Sequence, residues 1–536
     1  MMRGADLIAD TLSKAGVKVI FSLSGNQIMP IYDACIDVGI RLIHTRHEAA
    51  AVYMAEAYAQ LTGEVGVAMV TAGTGFANAM GPLVTAGAGE SPILLLSGDS
   101  PRSQDEKGSF QELDQVAVSK PLTKLSIRPQ RAENLGSDVA MALRVAASGR
   151  PGPVHIALPF DLLNEQVSNA YQATGEDFMP EIINPSDVAL EAIIDAVRNA
   201  EQPIILTGPS QNPTRARGRL QKLADALDAP VIPMESPRGL KDPCLGDFAR
   251  VLAKADVIVS IGKNIDFTTG FARPPTMAEN CKFVVIDPET EILERARRAL
   301  GSRLILGHRA DAGASISTLI EMANIGNGRT VWRKEMADAI ASKPVEPSKG
   351  KQPMHPATLC AAVQRLLDDA DEPILIIDGG EFGQWAQACL SAKVRVVNGV
   401  SGAIGGGLCY AFAAKIARPE ATVVALMGDG TAGFHFSEFE TAHRYGTDFI
   451  AVIGHDSRWN AEYQIQQRDY GKDRIIETEL NPTRYDMAAA GFGCHGEYVT
   501  DPVELDAALQ RAINTRLPSC VVGMIEGLPA PSGAGH

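Results

Sequence analysis

Short apolar, β-branched runs recur along the chain, and each is followed by a stretch whose apolar positions are spaced as on one face of a helix. That alternation predicts strand–helix–strand units, hence parallel sheets covered on both faces. In the first third the strand candidates are residues 17–22, 65–70, 93–97 and 154–158, and 41–44 is strand-like as well. The second third offers 203–207, 231–233, 256–261, 282–286 and 303–306. The last offers 373–377, 394–397, 422–426, 449–453 and 519–524. An amphipathic helix is expected over 5–12, another after Gly75 through Ala77-Asn78-Ala79-Met80, and a third over 437–445, stopping at Gly446. Two stretches read as linkers, 175–185 and the Lys-, Pro-, Ser- and Gly-rich 342–356. They divide the chain into an N-terminal domain over 1–175, a middle domain over 186–340 and a C-terminal domain over 355–536. The fold class expected is α/β, with three doubly wound parallel sheets.

Composition narrows the picture only a little. At 536 residues the chain is too long for one core. A net charge of −15 speaks against nucleic acid or an anionic membrane as partner. None of the eight cysteines forms a CxxC pair, which points to reduced, buried thiols and not to zinc or disulfides. With no signal-peptide pattern and no apolar run of membrane-spanning length, the expected location is the cytoplasm.

The chemistry concentrates at two loops. Gly428-Asp429-Gly430-Thr431 follows the run 422–426, and His455-Asp456-Ser457-Arg458-Trp459-Asn460 ends the next one, 449–453. Gly-Asp-Gly alone is a common turn. Here a strand delivers it to the carboxyl edge of a sheet, where open α/β sheets bind ligands, and a second strand brings another carboxylate beside it. Gly428 and Gly430 let the backbone approach a phosphate, amides around Gly430 and Thr431 can donate to it, and Asp429 offers a hard oxygen to Mg²⁺ or Ca²⁺. Far upstream, Glu48 in His47-Glu48-Ala49-Ala50-Ala51 lacks the second histidine of a zinc-protease motif, and by itself it reads as a helix-start glutamate.

Taken together the segments resemble the thiamine diphosphate (ThDP) enzymes, in which Gly-Asp-Gly is followed after a helix and a strand by Asn-Asn. His455 and Asp456 stand at those two positions, an Asp-for-Asn departure at the second. The resemblance implies a cation held by Asp429, Asp456, the main-chain carbonyl of Arg458 and two diphosphate oxygens. It implies that Glu48, shielded from water, shares a proton with N1′ of the aminopyrimidine, so that the 4′-amine can act as the base at C2. Val70-Thr71-Ala72-Gly73-Thr74-Gly75-Phe76-Ala77-Asn78 is similar to the pyrimidine-domain loop, which with Gly25 assigns Thr71, Thr74 and Asn78 to the cofactor. Gly402-Ala403-Ile404-Gly405-Gly406-Gly407 is similar to the loop that bends it, with Ile404 as the wedge between its rings. Glu381 and Phe382, in Asp378-Gly379-Gly380-Glu381-Phe382, match the loop beside the diphosphate. The matches run in family order over nearly the whole chain, as pyrimidine-binding, middle and diphosphate-binding domains. They point to the acetolactate synthase, benzaldehyde lyase, oxalyl-CoA decarboxylase and 2-hydroxyacyl-CoA lyase group. In that group Glu48 and the metal site would come from different subunits of a homodimer or homotetramer.

Within the group, Gln111 aligns with a glutamine that bonds the substrate carbonyl, with Glu112 beside it; a solvated surface turn is an equal alternative. Asn26 and Gln27 stand where other members carry a catalytic histidine. Trp459 and Tyr463 either line the substrate channel or pack a helix into the core. In the middle domain, Gly262-Lys263-Asn264-Ile265-Asp266-Phe267 departs from the flavin-contacting pattern of acetolactate synthase. Glu235-Ser236-Pro237-Arg238-Gly239 is closer to the side that binds an adenine nucleotide, leaving ADP, CoA, FAD or no ligand open. The activity expected is a ThDP- and Mg²⁺-dependent lyase or carboligase acting next to a carbonyl of a 2-hydroxyketone, 2-oxo acid or 2-hydroxyacyl-CoA. The alternatives are an oxalyl-CoA-type decarboxylase without carboligation and, in another class, a non-catalytic ThDP-binding protein.

Overall fold

A computed structural model describes residues 2–168, 171–326, 328–342, 352–398 and 401–531. It gathers them into two compact units, one of residues 1–181 with 412–417, the other of 182–411 with 418–536. Most of the 342–356 stretch lies outside the described residues.

The first unit is built on six parallel strands, in chain order Val19–Ser22, Arg41–His44, Gly66–Val70, Ile93–Asp99, Leu125–Ile127 and Pro153–Pro159. In the sheet they lie in the order second, first, third, fourth, sixth, fifth. Every residue of Ile93–Asp99 and of Pro153–Pro159 is buried, because helices cover both faces; this is why apolar residues fill consecutive positions, such as 93–96 and 156–158, and do not alternate. The alanine-rich helix Glu48–Thr62 lies so close on the sheet that a Cβ at Gly66 would meet the Ala55 carbonyl oxygen at 2.0 Å. Two-residue strands Met2–Arg3 and Gln166–Val167 pair antiparallel as a separate small sheet.

The second unit carries two parallel sheets. One has five strands, Pro203–Thr207, Val231–Pro233, Val257–Ile261, Lys282–Asp287 and Leu304–Arg309, ordered second, first, third, fourth, fifth. The other has six, Pro373–Ile377, Val394–Val397, Thr422–Gly428, Ile450–His455, His495–Val499 and Ser519–Met524, in the same order as the sheet of the first unit. In all three the first and third strands are neighbours, and the chain winds away from them in opposite directions. The crevice at their carboxyl ends is where such sheets bind ligands.

The expected strands are present, with ends shifted by a residue or a few. Leu125–Ile127 and His495–Val499 went unread: both are edge strands, half-buried and short or polar, and the apolar run that marks a buried strand is missing from them. The helix expected after Gly75 is broken. Thr74–Asn78 and Met80–Ala88 are separate helices that meet at Ala79. The eight thiols form no disulfide, and six are buried.

Candidate active site

In the second unit the loops that follow the first and third strands of the six-stranded sheet face each other across the crevice. Gly428 and Gly454 are register partners on adjacent strands, so Asp429 and Asp456 leave the sheet at nearly the same height. Both line a cavity of about 130 Å³ together with Glu381, Phe382, Gly402 and Ile404. Gly428, Gly430, Thr431, Arg458 and Trp459 complete the expected set there. The cavity needs close packing beneath it. A Cβ at Gly430 would sit 2.7 Å from the Trp459 ring, and one at Gly379 would sit 2.1 Å from Cγ2 of Ile404. Tyr463 does not line the cavity; the Arg458 guanidinium stacks over its ring at 4.2 Å.

The electrostatics are set by two neighbouring, largely buried carboxylates. Asp429 is buried, and its Oδ2 makes no hydrogen bond although Nδ1 of His455 lies 2.8 Å away. That ring nitrogen instead accepts the Ser457 amide at 3.3 Å. Burial, and then the charge of Asp429, push the Asp456 carboxyl up to about 7. A buried, unbonded carboxylate oxygen beside a second carboxylate costs free energy until a cation arrives. Among the described residues no three His, Cys, Asp or Glu side chains form a ready-made metal cluster. The donor set therefore suits an ion that takes its remaining oxygens from a main-chain carbonyl and a diphosphate. Tyr485 donates its hydroxyl to the Asp429 carbonyl at 3.0 Å, and burial pushes that phenol up to about 12.

In the first unit a polar cluster gathers at the corresponding carboxyl edge. Glu48 opens its helix behind the cap residue His47, whose Nδ1 accepts the Ala49 amide at 3.1 Å. Its carboxylate is almost fully buried and accepts from Asn78 Nδ2 at 3.0 Å. Thr71 donates to Gln27 Oε1 at 2.6 Å, Gln27 donates to Gln111 Oε1 at 3.0 Å, and Gln111 donates to Thr74 at 3.4 Å. Gly25 closes on Thr71, since a Cβ there would lie 2.3 Å from that of Thr71. Gln111 adopts a left-handed backbone, φ 60°, that turns it back over Gly73. Asn26 stays exposed. Glu112 closes its own loop, accepting the amides of Glu106, Gly108 and Ser109 at 2.5, 2.9 and 3.0 Å.

Asp378 and Arg238 carried no individual role in the sequence, whereas Glu462 lies between Trp459 and Tyr463, in the segment read as lining a substrate channel. Asp378 is fully buried, accepts the amides of Gly405 and Gly407 at 3.0 and 2.6 Å and the Asn398 side chain at 3.1 Å, and so fixes the loop that carries Ile404. Burial drives its pKa upward against those bonds. Arg238 and Glu462 line the cavity. Arg238 arrives from the segment after the five-stranded sheet's second strand, more than a hundred positions before the other lining residues, and no local spacing announces that.

Three family models match this chain. "Thiamine pyrophosphate enzyme, N-terminal TPP binding domain" covers residues 2–118, the central domain covers 190–319, and the C-terminal TPP binding domain covers 378–522. The chain belongs to the thiamine pyrophosphate (thiamine diphosphate) enzyme family. Among its relatives, the acetolactate synthase large subunit IlvG of Mycobacterium tuberculosis is 32% identical over 534 residues, 97% of this chain and 95% of that protein. The 2-hydroxyacyl-CoA lyase 2 of Homo sapiens is 28% identical over 552 residues, 92% and 84% of the two chains. The human 2-hydroxyacyl-CoA lyase 1 is 28% identical over 559 residues, 98% and 94%. The protein is thus a ThDP-dependent enzyme acting on carbon–carbon bonds. Among the described residues no helix is long and apolar enough to cross a membrane.

Proposed function

We propose that the chain is a Mg²⁺-dependent lyase or carboligase that cleaves or forms a bond next to the carbonyl of a 2-hydroxyketone, 2-oxo acid or 2-hydroxyacyl-CoA. The observation that carries this is the buried Oδ2 of Asp429, which has no hydrogen bond and lies in one cavity with Asp456. Asp429, Asp456 and the Arg458 carbonyl hold the ion, with Ca²⁺ as a substitute of the same ligand preference. Gly428, Gly430 and Thr431 take the diphosphate, with Glu381 and Phe382 on the opposite loop. Bound ThDP supplies the nucleophilic carbon and the electron sink that this chemistry needs. Glu48 holds the proton shared with N1′, and its burial keeps water from competing for that bond. Ile404, on the loop fixed through Asp378, would pack against the bound cofactor. Gln111 and Gln27 orient a substrate carbonyl by hydrogen bonding, a role for which their mutual bond already sets the geometry.

We assign residues 1–175 to pyrimidine binding, 186–340 to the middle domain and 355–536 to diphosphate binding. The active unit is a homodimer or homotetramer with Glu48 of one subunit serving the Asp429 site of another, and its location is the cytoplasm. The middle domain is a candidate site for ADP, CoA or FAD. Its five-stranded sheet has the strand order that binds nucleotides at the carboxyl ends of its first and third strands. Incubation with ThDP and Mg²⁺ and a panel of 2-oxo acids, acyloins and 2-hydroxyacyl-CoA esters, read by mass spectrometry, tests the activity. New carbon–carbon products only when an aldehyde acceptor is present establish carboligation; decarboxylation with no ligation product under either condition establishes the oxalyl-CoA-type reaction instead. No turnover across the panel overturns the proposal.

A further inference from the structure

Two of the eight thiols meet in the second unit. The helix Pro356–Asp368 carries Cys360, and the helix Gly380–Cys389, which packs against it, ends on Cys389. Both sulfurs belong to one apolar cluster, where Cys360 is completely buried and Cys389 packs against it, partly exposed. The two side chains share a hydrogen bond. That bond, and then burial, hold the proton on Cys360 and push its pKa well above the ordinary thiol range.

Contacts on either side of the sulfurs keep them together. On one side the ring of His355, the cap residue of the first helix, meets the buried Trp385 ring edge-on at 5.0 Å. On the other, Gln364 donates Nε2 to the Ser391 carbonyl at 3.2 Å and accepts the Ser391 amide at 2.9 Å. Gln364 lies one helical turn past Cys360, and Ser391 lies two residues past Cys389, so the clamp closes directly beside the pair. Among the described residues no third His, Cys, Asp or Glu joins them in a metal-holding group. Two adjacent thiols without further ligands suit a disulfide and not zinc. The other partly exposed thiol, Cys244, is placed differently: its sulfur accepts from Arg395 at 3.8 Å, and burial, then the charge of Asp242, push it up.

We infer that Cys360 and Cys389 form a redox couple, a dithiol that a peroxide converts reversibly to a disulfide. Cys389, the thiol that solvent reaches, attacks first as its thiolate. A sulfur–oxygen bond forms, the oxygen–oxygen bond breaks, and the departing hydroxide takes up the proton Cys389 lost. Cys360 then attacks the sulfenic sulfur. The sulfur–sulfur bond forms, the sulfur–oxygen bond breaks, and hydroxide leaves with the Cys360 proton as a second water. The carbonyl end of a helix does not favour a thiolate, so access and the waiting second thiol carry the rate. The disulfide joins the helix that brings Glu381 and Phe382 to the cofactor cavity to the helix packed on it.

The test treats the reduced ThDP–Mg²⁺ holoenzyme with hydrogen peroxide, blocks remaining thiols with iodoacetamide and maps the tryptic peptides by mass spectrometry. Cys360 and Cys389 fall on different peptides, 352–365 and 366–393. These are expected joined, lighter by two hydrogens, and separated again by dithiothreitol. Cys389 should lose its alkylatable thiol at least about tenfold faster than Cys244. Cys360→Ser should halt the reaction at a Cys389 sulfenic acid, which dimedone captures, and Cys389→Ser should leave Cys360 reduced. Peptides 352–365 and 366–393 that stay separate after peroxide overturn the inference, and so does a cross-link that dithiothreitol does not open. Loss of the Cys360 thiol at the wild-type rate in Cys389→Ser overturns it as well, by removing Cys389 as the entry point. The wild-type digest decides the pairing without any variant.

Discussion

At the scale of single residues the site is a set of polar atoms that folding has stripped of water. Leaving Asp429 Oδ2 buried with only the His455 ring 2.8 Å away and no hydrogen bond costs on the order of 1–3 kcal/mol, a cost that a bound cation would offset. Glu48 is buried and accepts a hydrogen bond from Asn78, and in the proposed mechanism its carboxyl group also faces the cofactor's ring nitrogen. Glu48→Gln keeps size and burial but removes the proton that the proposed mechanism shares with the cofactor. Turnover is expected to fall by at least about a hundredfold while ThDP affinity, followed by fluorescence quenching, changes little. An unchanged rate would take Glu48 out of the mechanism. Gly430→Ala tests the packing under the diphosphate loop. The new methyl would lie 2.7 Å from the Trp459 ring, so either the indole or the loop must move. ThDP affinity is expected to fall about tenfold, a cost in the range that overpacking produces; retained affinity would show that the indole yields freely.

At the scale of elements, strands of the central sheets could be read because burial on both faces makes them continuously apolar. Edge strands such as His495–Val499 could not, since only their pairing with Ser519–Met524 defines them. The break at Ala79 is local: Pro82 has no N–H to offer the Asn78 carbonyl and its ring crowds that group, so the first helix ends at Asn78, whose side chain bonds Glu48. Inside the strand Pro153–Pro159, His155 is completely buried, with Nδ1 at 2.8 Å from Ser119 Oγ and Nε2 at 2.8 Å from Ser97 Oγ. Burial pushes its pKa down to about 3. A base whose folded pKa lies below its unfolded one stabilises the fold fully above the unfolded value, near 6.5, and that contribution is lost as pH falls from there toward 3. Its slope approaches about 1.4 kcal/mol per pH unit. Urea midpoints measured between pH 7 and 4.5 should fall more steeply for wild type than for His155→Asn, and parallel curves would show that His155 does not set the acid limb.

At the scale of the molecule, Glu48 belongs to one compact unit and Asp429 to the other. If each active site joins Glu48 of one subunit to Asp429 of another, two dead variants should complement. Mixing Glu48→Gln with Asp429→Ala after dissociation and reassociation leaves one intact site in each mixed dimer, so activity should return to about a quarter of wild type by random assortment. No recovery would place both groups in the same chain's site. The strand order second, first, third, fourth, sixth, fifth appears in both units, so each half-site occupies the same position on its own sheet: the crevice where the winding reverses.

The residue sequence alone determined the family and the parallel sheets, because the order of motif segments and the apolar runs of the strands are written in consecutive residues. Tertiary structure decided what consecutive residues do not record. It brought Arg238 to a cavity whose other walls come from residues 380–462, buried Asp378 under Gly405 and Gly407, and turned Glu112 onto its own loop while Gln111 joined Gln27. The physical reason is that desolvation and hydrogen-bond partnership are set by neighbours in space, and those neighbours exist only once the chain has folded.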